Sequence, residues 1–252
     1  MRLLKCDDDG KIRLEGPFDP HNIPPYAILS HTWGDQEVVF EDMMRDDKGR
    51  SKEGYFKIEM CVKQAKEHGL DYSWVDTCCI DKSSSAELQT AIISMFRWYS
   101  DAKRCYVFMS DVPSSADDRS FQHSRWFTRG WTLQELLAPK SVEFFDREWN
   151  LIGNKSDAKI EAAICQITKI PALALSGNTH LSRFSVDERM RWLGGRETKL
   201  VEDRAYCLLG ILGIFTYILY GEREEAMVLI KLLKHRHDFQ NCPQFLLALT
   251  PD

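Results

Sequence analysis

The run Tyr26-Ala-Ile-Leu-Ser30 is continuously apolar over the length of one strand. Before it, Asn22-Ile-Pro-Pro25 keeps the backbone extended, because a residue that precedes proline is held out of the helical region. We therefore predict the first strand of a sheet here. The polar turn His31-Thr-Trp-Gly-Asp35 follows at its carboxyl end, and Gly34 permits a positive φ in that turn.

The next two predicted elements are a helix and a buried strand. Residues 55–68 place apolar side chains at helical spacing, and Gly69 marks the end of that helix. Residues 72–80 are largely apolar and β-prone, which predicts a strand buried on both faces. Asp76 falls inside this predicted strand, where a carboxylate has to be hydrogen-bonded or functional.

The alternation of helix and strand continues after that. Ser84 and Glu87 form a predicted capping box in front of an amphipathic helix. Strands are predicted at residues 105–109 and 141–145. Between them, residues 124–139 carry a short apolar helix that ends at a proline.

Two regions are therefore expected. Each crossover between strands is long enough to hold a helix, so residues 1–150 are predicted to form a doubly wound parallel α/β sheet. From Asn154 onward the pattern is helical, and residues 151–252 are predicted to be a helical annex packed on that core, with a helix at 226–233 among its segments. The apolar run at 207–220 is shorter than the roughly 20 residues of a membrane span, and predicts a buried helix running into a turn.

Composition limits the classes of function. A net charge of -5 and an isoelectric point of about 5.8 leave no basic field for nucleic acid. The amino terminus lacks the apolar core of a signal peptide, so a cytoplasmic location is expected. Most of the eight cysteines lie in apolar runs, as small core residues do. No metal site is predicted, because Cys78 and Cys79 should point to opposite faces of a strand, and His235, His237 and Cys242 lack a fourth partner.

Polar turns follow three of the predicted strands, and sheets of this class bind ligands at the carboxyl ends of their strands. The turns lie at residues 31–35, 81–85 and 110–126. Lys82 and the serines after it precede a helix amino terminus, where free N–H groups suit a pyrophosphate, although a simply capped loop explains them equally. Trp33 either stacks on an aromatic base or is a packing residue.

A series of short motifs runs through the chain: Tyr26-Ala-Ile-Leu-Ser-His-Thr-Trp-Gly34, Trp74-Val-Asp-Thr-Cys-Cys-Ile-Asp-Lys82, Arg129-Gly-Trp-Thr-Leu-Gln-Glu-Leu136, and residues 87–89, 95–99, 184–189, 203–206 and 219–222. In order and spacing they resemble the motifs of the fungal heterokaryon incompatibility (HET) domain. The resemblance implies a role in triggering cell death when incompatible strains fuse, often as the effector of a receptor with a nucleotide-binding domain. The chain contains no Walker-type motif, so a fused sensor domain is expected beyond Asp252, or a receptor as a separate partner.

A second similarity concerns chemistry. The HET core is similar to a Toll/interleukin-1 receptor (TIR) domain, which is flavodoxin-like: a strand ends in Ser30 and His31, an acid follows at Asp35, and Trp131 stands ahead of Glu135. Enzymatic TIR domains hydrolyse NAD with a glutamate in a W-x-x-x-E pattern, so the resemblance implies that Glu135 is the catalytic carboxylate. Because nicotinamide is a good leaving group, one carboxylate beside an oxocarbenium-like ribose suffices.

The expected function is thus that of a cell-death effector that hydrolyses NAD as its substrate, needs no cofactor and is activated by forming a homo-oligomer. The alternative is a non-enzymatic adaptor that assembles partners through the same surface. A hydrolase built on Ser30 and His31 is disfavoured, because adjacent residues at a strand end diverge in direction. The substrate-binding candidates are Ser30, His31, Trp33, Asp81, Lys82, Ser84 and Trp131. The candidates that organise the site, or are purely structural, are Asp76, Glu87, Arg129 and Gln134.

Overall fold

The computed structural model describes residues 1–7, 9–45, 49–114, 118–214 and 220. Its centre is one seven-stranded sheet in the order β2-β1-β4-β3-β5-β6-β7. The strands are β1 Leu3–Cys6, β2 Ile12–Glu15, β3 Tyr26–His31, β4 Tyr72–Trp74, β5 Arg104–Phe108, β6 Val142–Phe145 and β7 Leu151–Asn154.

The sheet has a parallel centre and antiparallel edges. Strand β3 pairs in parallel with both β4 and β5, and β5 pairs in parallel with β6. The pairs β1–β2, β1–β4 and β6–β7 are antiparallel. The prediction of an α/β sheet is confirmed, but the sheet is mixed rather than wholly parallel. Strands β1, β2 and β7 went unpredicted because each has only four residues and, unlike the equally short β6, is only partly buried, so no clear pattern marks it.

The described helices are α1 Phe40–Met44, α2 Tyr55–Glu67, α3 Ser85–Asp101, α4 Asp118–Gln122, α5 Thr132–Leu137, α6 Ala158–Thr168, α7 Ala172–Leu175, α8 Val186–Arg191, α9 Asp203–Tyr206 and α10 Leu209–Leu212. Helix α2 joins β3 to β4, and α3 joins β4 to β5 on the other side of β3. Because such crossovers are right-handed in nearly all sheets, α2 and α3 lie on opposite faces.

The strand predicted at residues 72–80 is much shorter in the structure. It ends at Trp74, and the chain turns at once, with the N–H groups of Cys78 and Cys79 donating to the Val75 carbonyl at 3.3 and 2.9 Å. The prediction that Asp76 lies inside a strand is therefore wrong, and so is the prediction that Cys78 and Cys79 lie on opposite faces of one. Asp76 instead lies just past the carboxyl end of β4, where sheets of this class bind ligands.

The segment 124–139 forms a 3-10 helix at Arg125–Thr128 followed by α5, all of whose residues are buried. Its carboxyl end is capped by Lys155, whose ammonium donates to the carbonyls of Leu136 at 3.0 Å and Pro139 at 2.7 Å. Burial lowers the pKa of Lys155 to about 8. Lys155 thus supplies donors to carbonyls at the helix end, which have no partners within the helix.

Beyond residue 150 the described chain adds β7 to the sheet and is then helical. The capping box predicted at Ser185 and Glu188 is confirmed, since each side chain accepts a hydrogen bond from the backbone N–H of the other, at 3.2 and 2.8 Å. The helix predicted at 226–233 and the considered ligands His235, His237 and Cys242 lie outside the described residues. No helix within the described ranges is long and apolar enough to cross a membrane.

Candidate functional site

A cavity of about 440 Å³ opens where β3 and β4 end, between α3, α5 and the annex. This volume falls within the range of roughly 300–1,000 Å³ that small-molecule sites occupy. The wall from α3 is apolar, whereas the opposite walls carry the polar groups. The predicted site residues that line it are His31, Trp33, Asp76, Lys82, Arg129, Trp131 and Glu135.

Glu135 forms the buried end of the cavity. Ser30 at the end of β3 donates a hydrogen bond to its carboxylate at 2.5 Å, and the Trp126 indole N–H donates to the Ser30 hydroxyl at 2.8 Å. The pKa of Glu135 is raised to about 8: burial is the largest cause and the nearby Asp76 adds to it, whereas hydrogen bonds with Ser30 and Tyr99 oppose the rise. The Glu135 carboxyl is therefore mostly protonated at neutral pH.

His31 follows Ser30 and is also buried, with 6% of its surface exposed. Neither ring nitrogen has a hydrogen-bond partner in the described part of the chain. Its Nε2 lies 3.7 Å from an Asp76 carboxylate oxygen and 3.8 Å from a Glu37 oxygen, while Glu37 accepts from Lys57 at 2.5 Å. Burial, reinforced by the positive charges of Lys57 and Lys82, holds the pKa of His31 well below its usual value, so the imidazole is neutral.

Trp33 and its neighbours form the cavity mouth. The Trp33 indole N–H donates to Asp76 at 3.0 Å. The Lys82 ammonium lies 3.7 Å from the centre of the Trp33 ring and 4.0 Å from Asp76. The Lys199 ammonium, which comes from the annex, lies 5.3 Å from the same ring centre. The mouth is thus an aromatic ring with two cations beside it.

The annex closes the opposite side of the cavity through residues 196–203, here called the annex segment. Asp203 at its end accepts hydrogen bonds from the Tyr220 hydroxyl at 3.0 Å and from the Trp131 side chain. Burial raises the pKa of Asp203, and the charge of Arg129 opposes that rise. The cavity therefore carries one carboxyl from α5 and another from the annex.

The annex segment is tied to the residues before α5. The Gly130 N–H donates to the Glu197 carbonyl at 2.8 Å, and a Cβ on Gly130 would lie only 2.4 Å from the Thr198 side chain. The Arg196 guanidinium donates to the Thr132 hydroxyl at 2.8 Å. Glycine at position 130 is what permits this close approach.

Several predicted site residues lie elsewhere. Asp81 accepts hydrogen bonds from the backbone and hydroxyl of Ser83 at 3.0 and 2.5 Å, and Ser84 is the N-cap of α3. Only half of the predicted capping box forms, because the Glu87 carboxylate accepts from the Asp81 N–H at 3.0 Å and pairs with Arg2. The sequence left open whether this loop binds a pyrophosphate or simply caps the helix. Asp81, Ser84 and Glu87 form the capped loop in the structure.

Ser30 and Gln134 are two predicted site residues that do not line the cavity. Ser30 reaches Glu135 directly, so it acts on the site without lining the cavity. Gln134 is buried on α5, and its amide nitrogen has no partner among the described residues.

Sequence reasoning missed some participants: Glu37, Lys57, Tyr99, Trp126, Arg196, Lys199 and Asp203. Trp126 has no carboxylate four positions on, which marks it in the sequence as a packing residue, yet a buried tryptophan needs an acceptor for its N–H, and that acceptor is Ser30. Asp203 stands in one of the annex motifs, so a signal existed. Nothing local marks Lys199, because its partner Trp33 is distant in sequence.

Within the described ranges, no group of three or more His, Cys, Asp or Glu side chains is arranged to hold a metal ion.

Known proteins similar to this chain point in one direction. The family model "Heterokaryon incompatibility protein (HET)" matches residues 26–120. "Vegetative incompatibility protein HET-E-1" of Podospora anserina is 50% identical over 235 residues, which cover 89% of this chain. The chain spans 17% of the length of that relative. No solved structure matches the chain.

Proposed function

This chain is a heterokaryon incompatibility (HET) domain protein, and from that premise we propose that it is a cell-death effector that hydrolyses NAD when it self-associates. The observation that carries the proposal is Glu135, a buried carboxyl at the inner end of a cavity whose mouth is cationic and aromatic. The effector is proposed to act in the cytoplasm, as a homo-oligomer, together with a nucleotide-binding receptor that is either fused to it or a separate partner.

The order of the parallel strands supports a TIR-like core. Numbered as they occur along the chain, β3, β4, β5 and β6 lie in the order second, first, third, fourth. The flavodoxin-like class has the same arrangement, and its ligands bind beside the first strand, where the direction of winding reverses. The first parallel strand here is β3, which carries Ser30 and His31 at its carboxyl end.

The reaction needs little from the protein beyond placement and one charge. The bond between ribose C1′ and the nicotinamide nitrogen breaks, and its electron pair neutralises the pyridinium as nicotinamide leaves. The ionised Glu135 carboxylate would stabilise the positive charge on the ribose, and water then attacks C1′ and loses a proton to give ADP-ribose. Attack by an adenine nitrogen in place of water would give a cyclic product.

The raised pKa of Glu135 is compatible with this role. The pyridinium of NAD is positively charged, and an opposite charge nearby favours the ionised form of a carboxyl. Binding of NAD would therefore lower the pKa of Glu135 from about 8 and produce the carboxylate where it is needed. Ser30 would hold the carboxylate in position by its hydrogen bond.

A non-enzymatic adaptor is the second candidate, and one observation favours it. Glu135 is buried and mostly protonated at neutral pH, which is also what a purely structural carboxyl would show. An adaptor would need the α/β surface and the annex but not the carboxylate. The two candidates therefore differ in what happens to NAD.

The test follows nicotinamide release from NAD by chromatography, with the full chain both dilute and clustered on a fused coiled-coil oligomer. We expect release by the clustered protein and its loss in Glu135→Ala. The control is Glu59→Gln, which changes an exposed glutamate on α2 that does not line the cavity. Release that persists in Glu135→Ala would overturn the mechanism, and the absence of release in every assembled state would favour the adaptor.

A further inference from the structure

Two lysines from separate parts of the chain make cation–π contacts with the Trp33 ring. Lys82 lies between β4 and α3, and its ammonium lies 3.7 Å from the ring centre. Lys199 belongs to the annex segment and lies 5.3 Å from the same point. The ring is itself fixed by the hydrogen bond from its N–H to Asp76. Trp33 thus has two ammonium groups within 5.3 Å of its ring centre at the mouth, a role different from the stacking on a base and the packing that the sequence left open.

The charges around the mouth are not balanced. Lys82, Lys199 and Arg129 contribute three positive charges to the cavity lining. The lining also contains three carboxyls, from Asp76, Asp203 and Glu135, but Glu135 is mostly protonated at neutral pH, so positive charge is in excess. Asp76 lies at 4.0 Å from Lys82, and Asp203 already accepts from Tyr220 and Trp131. Within the described part of the chain, no hydrogen bond or ion pair engages the Lys199 ammonium. An anion at the mouth would neutralise this excess and find donors that are already in place.

A second observation indicates that the cavity takes a ligand. His31 lines the same cavity and is more than nine-tenths buried, and both of its ring nitrogens lack partners among the described residues. Buried polar atoms in folded proteins are nearly always hydrogen-bonded, so an unpaired imidazole facing a cavity calls for a polar group from outside the chain. A neutral imidazole offers one donor and one acceptor, which suits a hydroxyl or an amide.

We propose that Lys82 and Lys199, held beside Trp33, form a phosphate subsite at the cavity mouth that binds the diphosphate of a nucleotide, with half of the subsite supplied by the annex. This deepens the proposed function, because the diphosphate of NAD would occupy the subsite while its nicotinamide ribose reaches Glu135. It also assigns the annex a direct part in ligand binding. A core without the annex segment would keep Lys82 and lose Lys199.

Calorimetric titration of the full chain with ADP, inorganic pyrophosphate and adenosine tests the subsite. Lys199→Gln removes one charged donor, so we expect ADP and pyrophosphate to bind about tenfold more weakly, and the double variant with Lys82→Gln about a hundredfold more weakly. Adenosine has no phosphate, and its binding should be the same in all variants. Raising the salt concentration should weaken ADP binding in the original chain more than in Lys199→Gln.

The matched control is Lys103→Gln, because Lys103 is also exposed but stands before the amino end of β5, at the opposite edge of the sheet. It should bind ADP as the original chain does. Lys199→Arg keeps the charge and should restore most of the affinity, and thermal unfolding of each variant reports on folding. Unchanged ADP binding in Lys199→Gln, equal weakening in Lys103→Gln, or no ADP binding by the original chain would each overturn the subsite.

The subsite and the proposed reaction can fail separately. If ADP binds in a Lys199-dependent way and nicotinamide is never released, the subsite stands and NAD hydrolysis falls. If nicotinamide is released and Lys199→Gln has the original KM for NAD, hydrolysis stands and the subsite falls. A rise in KM with little change in kcat would support both, because the lysines hold the diphosphate and do not touch the bond that breaks.

Discussion

Two short segments, residues 81–87 and 129–135, both carry polar side chains predicted to form the site, and the structure uses them in opposite ways. In the second segment, Arg129, Trp131 and Glu135 line the cavity. In the first, only Lys82 does so. The other polar groups of residues 81–87 satisfy the backbone of their own loop and of the start of α3.

The difference comes from side-chain length and from the needs of a helix amino terminus. The first N–H groups of a helix have no partners inside it, and short side chains such as those of Ser84 and Asp81 bond nearby backbone N–H groups. Lys82 has a long chain, and its ammonium reaches across to Trp33. Polar residues before a helix are therefore weak indicators of a ligand site when they are short enough to act as caps.

The largest expected effect compares one glutamate from each segment. Glu135→Gln removes the charge proposed to stabilise the ribose, so nicotinamide release should fall by about 10² to 10³-fold. Glu87→Gln weakens a pairing with Arg2 and with the Asp81 N–H outside the cavity, so release should stay within about twofold of the original rate. The measurement is the initial rate of nicotinamide release by the clustered protein. An equal loss of nicotinamide release in both variants would contradict the comparison, because Glu87 of the first segment would then act in the site.

The pH dependence of stability gives the next effect. The folded pKa of Glu135, about 8, is above its ordinary value of 4.5, so between these values the folded state binds more protons than the unfolded state. Raising the pH through this window therefore destabilises the original chain relative to Glu135→Gln, by about 3 kcal/mol between pH 5 and pH 8. Urea unfolding of both proteins at the two pH values measures the difference.

Glu59→Gln serves as the control in this comparison, because Glu59 is exposed on α2 and should follow the original chain at both pH values. If Glu135→Gln also followed the original chain, Glu135 would ionise in the folded state at an ordinary pH. The cavity would then have to be open to water in solution.

The same contrast explains how much of the molecule could be predicted. Apolar runs and helical spacing predicted β3, β5, β6, α2 and α3 to within a few residues, because the strands are almost wholly buried and the helices are long enough to show their periodicity. The strand at residues 72–80 was overestimated, since an apolar turn has the same composition as a buried strand.

The site was predicted only where its residues are close to a strand end or carry a motif. Ser30, His31 and Glu135 fall in that class. Lys199 does not, because it reaches the cavity through the packing of the annex segment against Gly130, which no local pattern reports. Asp203 stands in a motif, but the motif does not report that the annex brings it to the cavity. The direction in which a side chain points could not be predicted either. Lys82 and Ser84 are two positions apart in sequence, and only Lys82 lines the cavity.

Ser30→Ala tests the hydrogen bond that Glu135 of the second segment receives from outside that segment. The Ser30 hydroxyl bonds the Glu135 carboxylate and lowers the pKa of Glu135, so without it that pKa should rise further. We expect the rising limb of nicotinamide release against pH to move upward by on the order of one pH unit. The control is Ser73→Ala, which removes a buried hydroxyl from the neighbouring strand β4 and should leave the profile in place. An unmoved profile in Ser30→Ala would mean that Ser30 does not act on Glu135.

The smallest expected effect belongs to Ser84. Its hydroxyl accepts from the Glu87 N–H as the N-cap of α3, so Ser84→Ala should lower the free energy of unfolding by about 1 kcal/mol, and Ser84→Asn, which can also cap, should lower it by less. Neither variant should change ADP binding or nicotinamide release, because the side chain does not line the cavity. Urea unfolding and ADP titration on the same samples separate the two roles. Weaker ADP binding in Ser84→Ala, with unfolding unchanged, would show that this serine serves a phosphate rather than the helix, and the contrast between the two segments would then disappear.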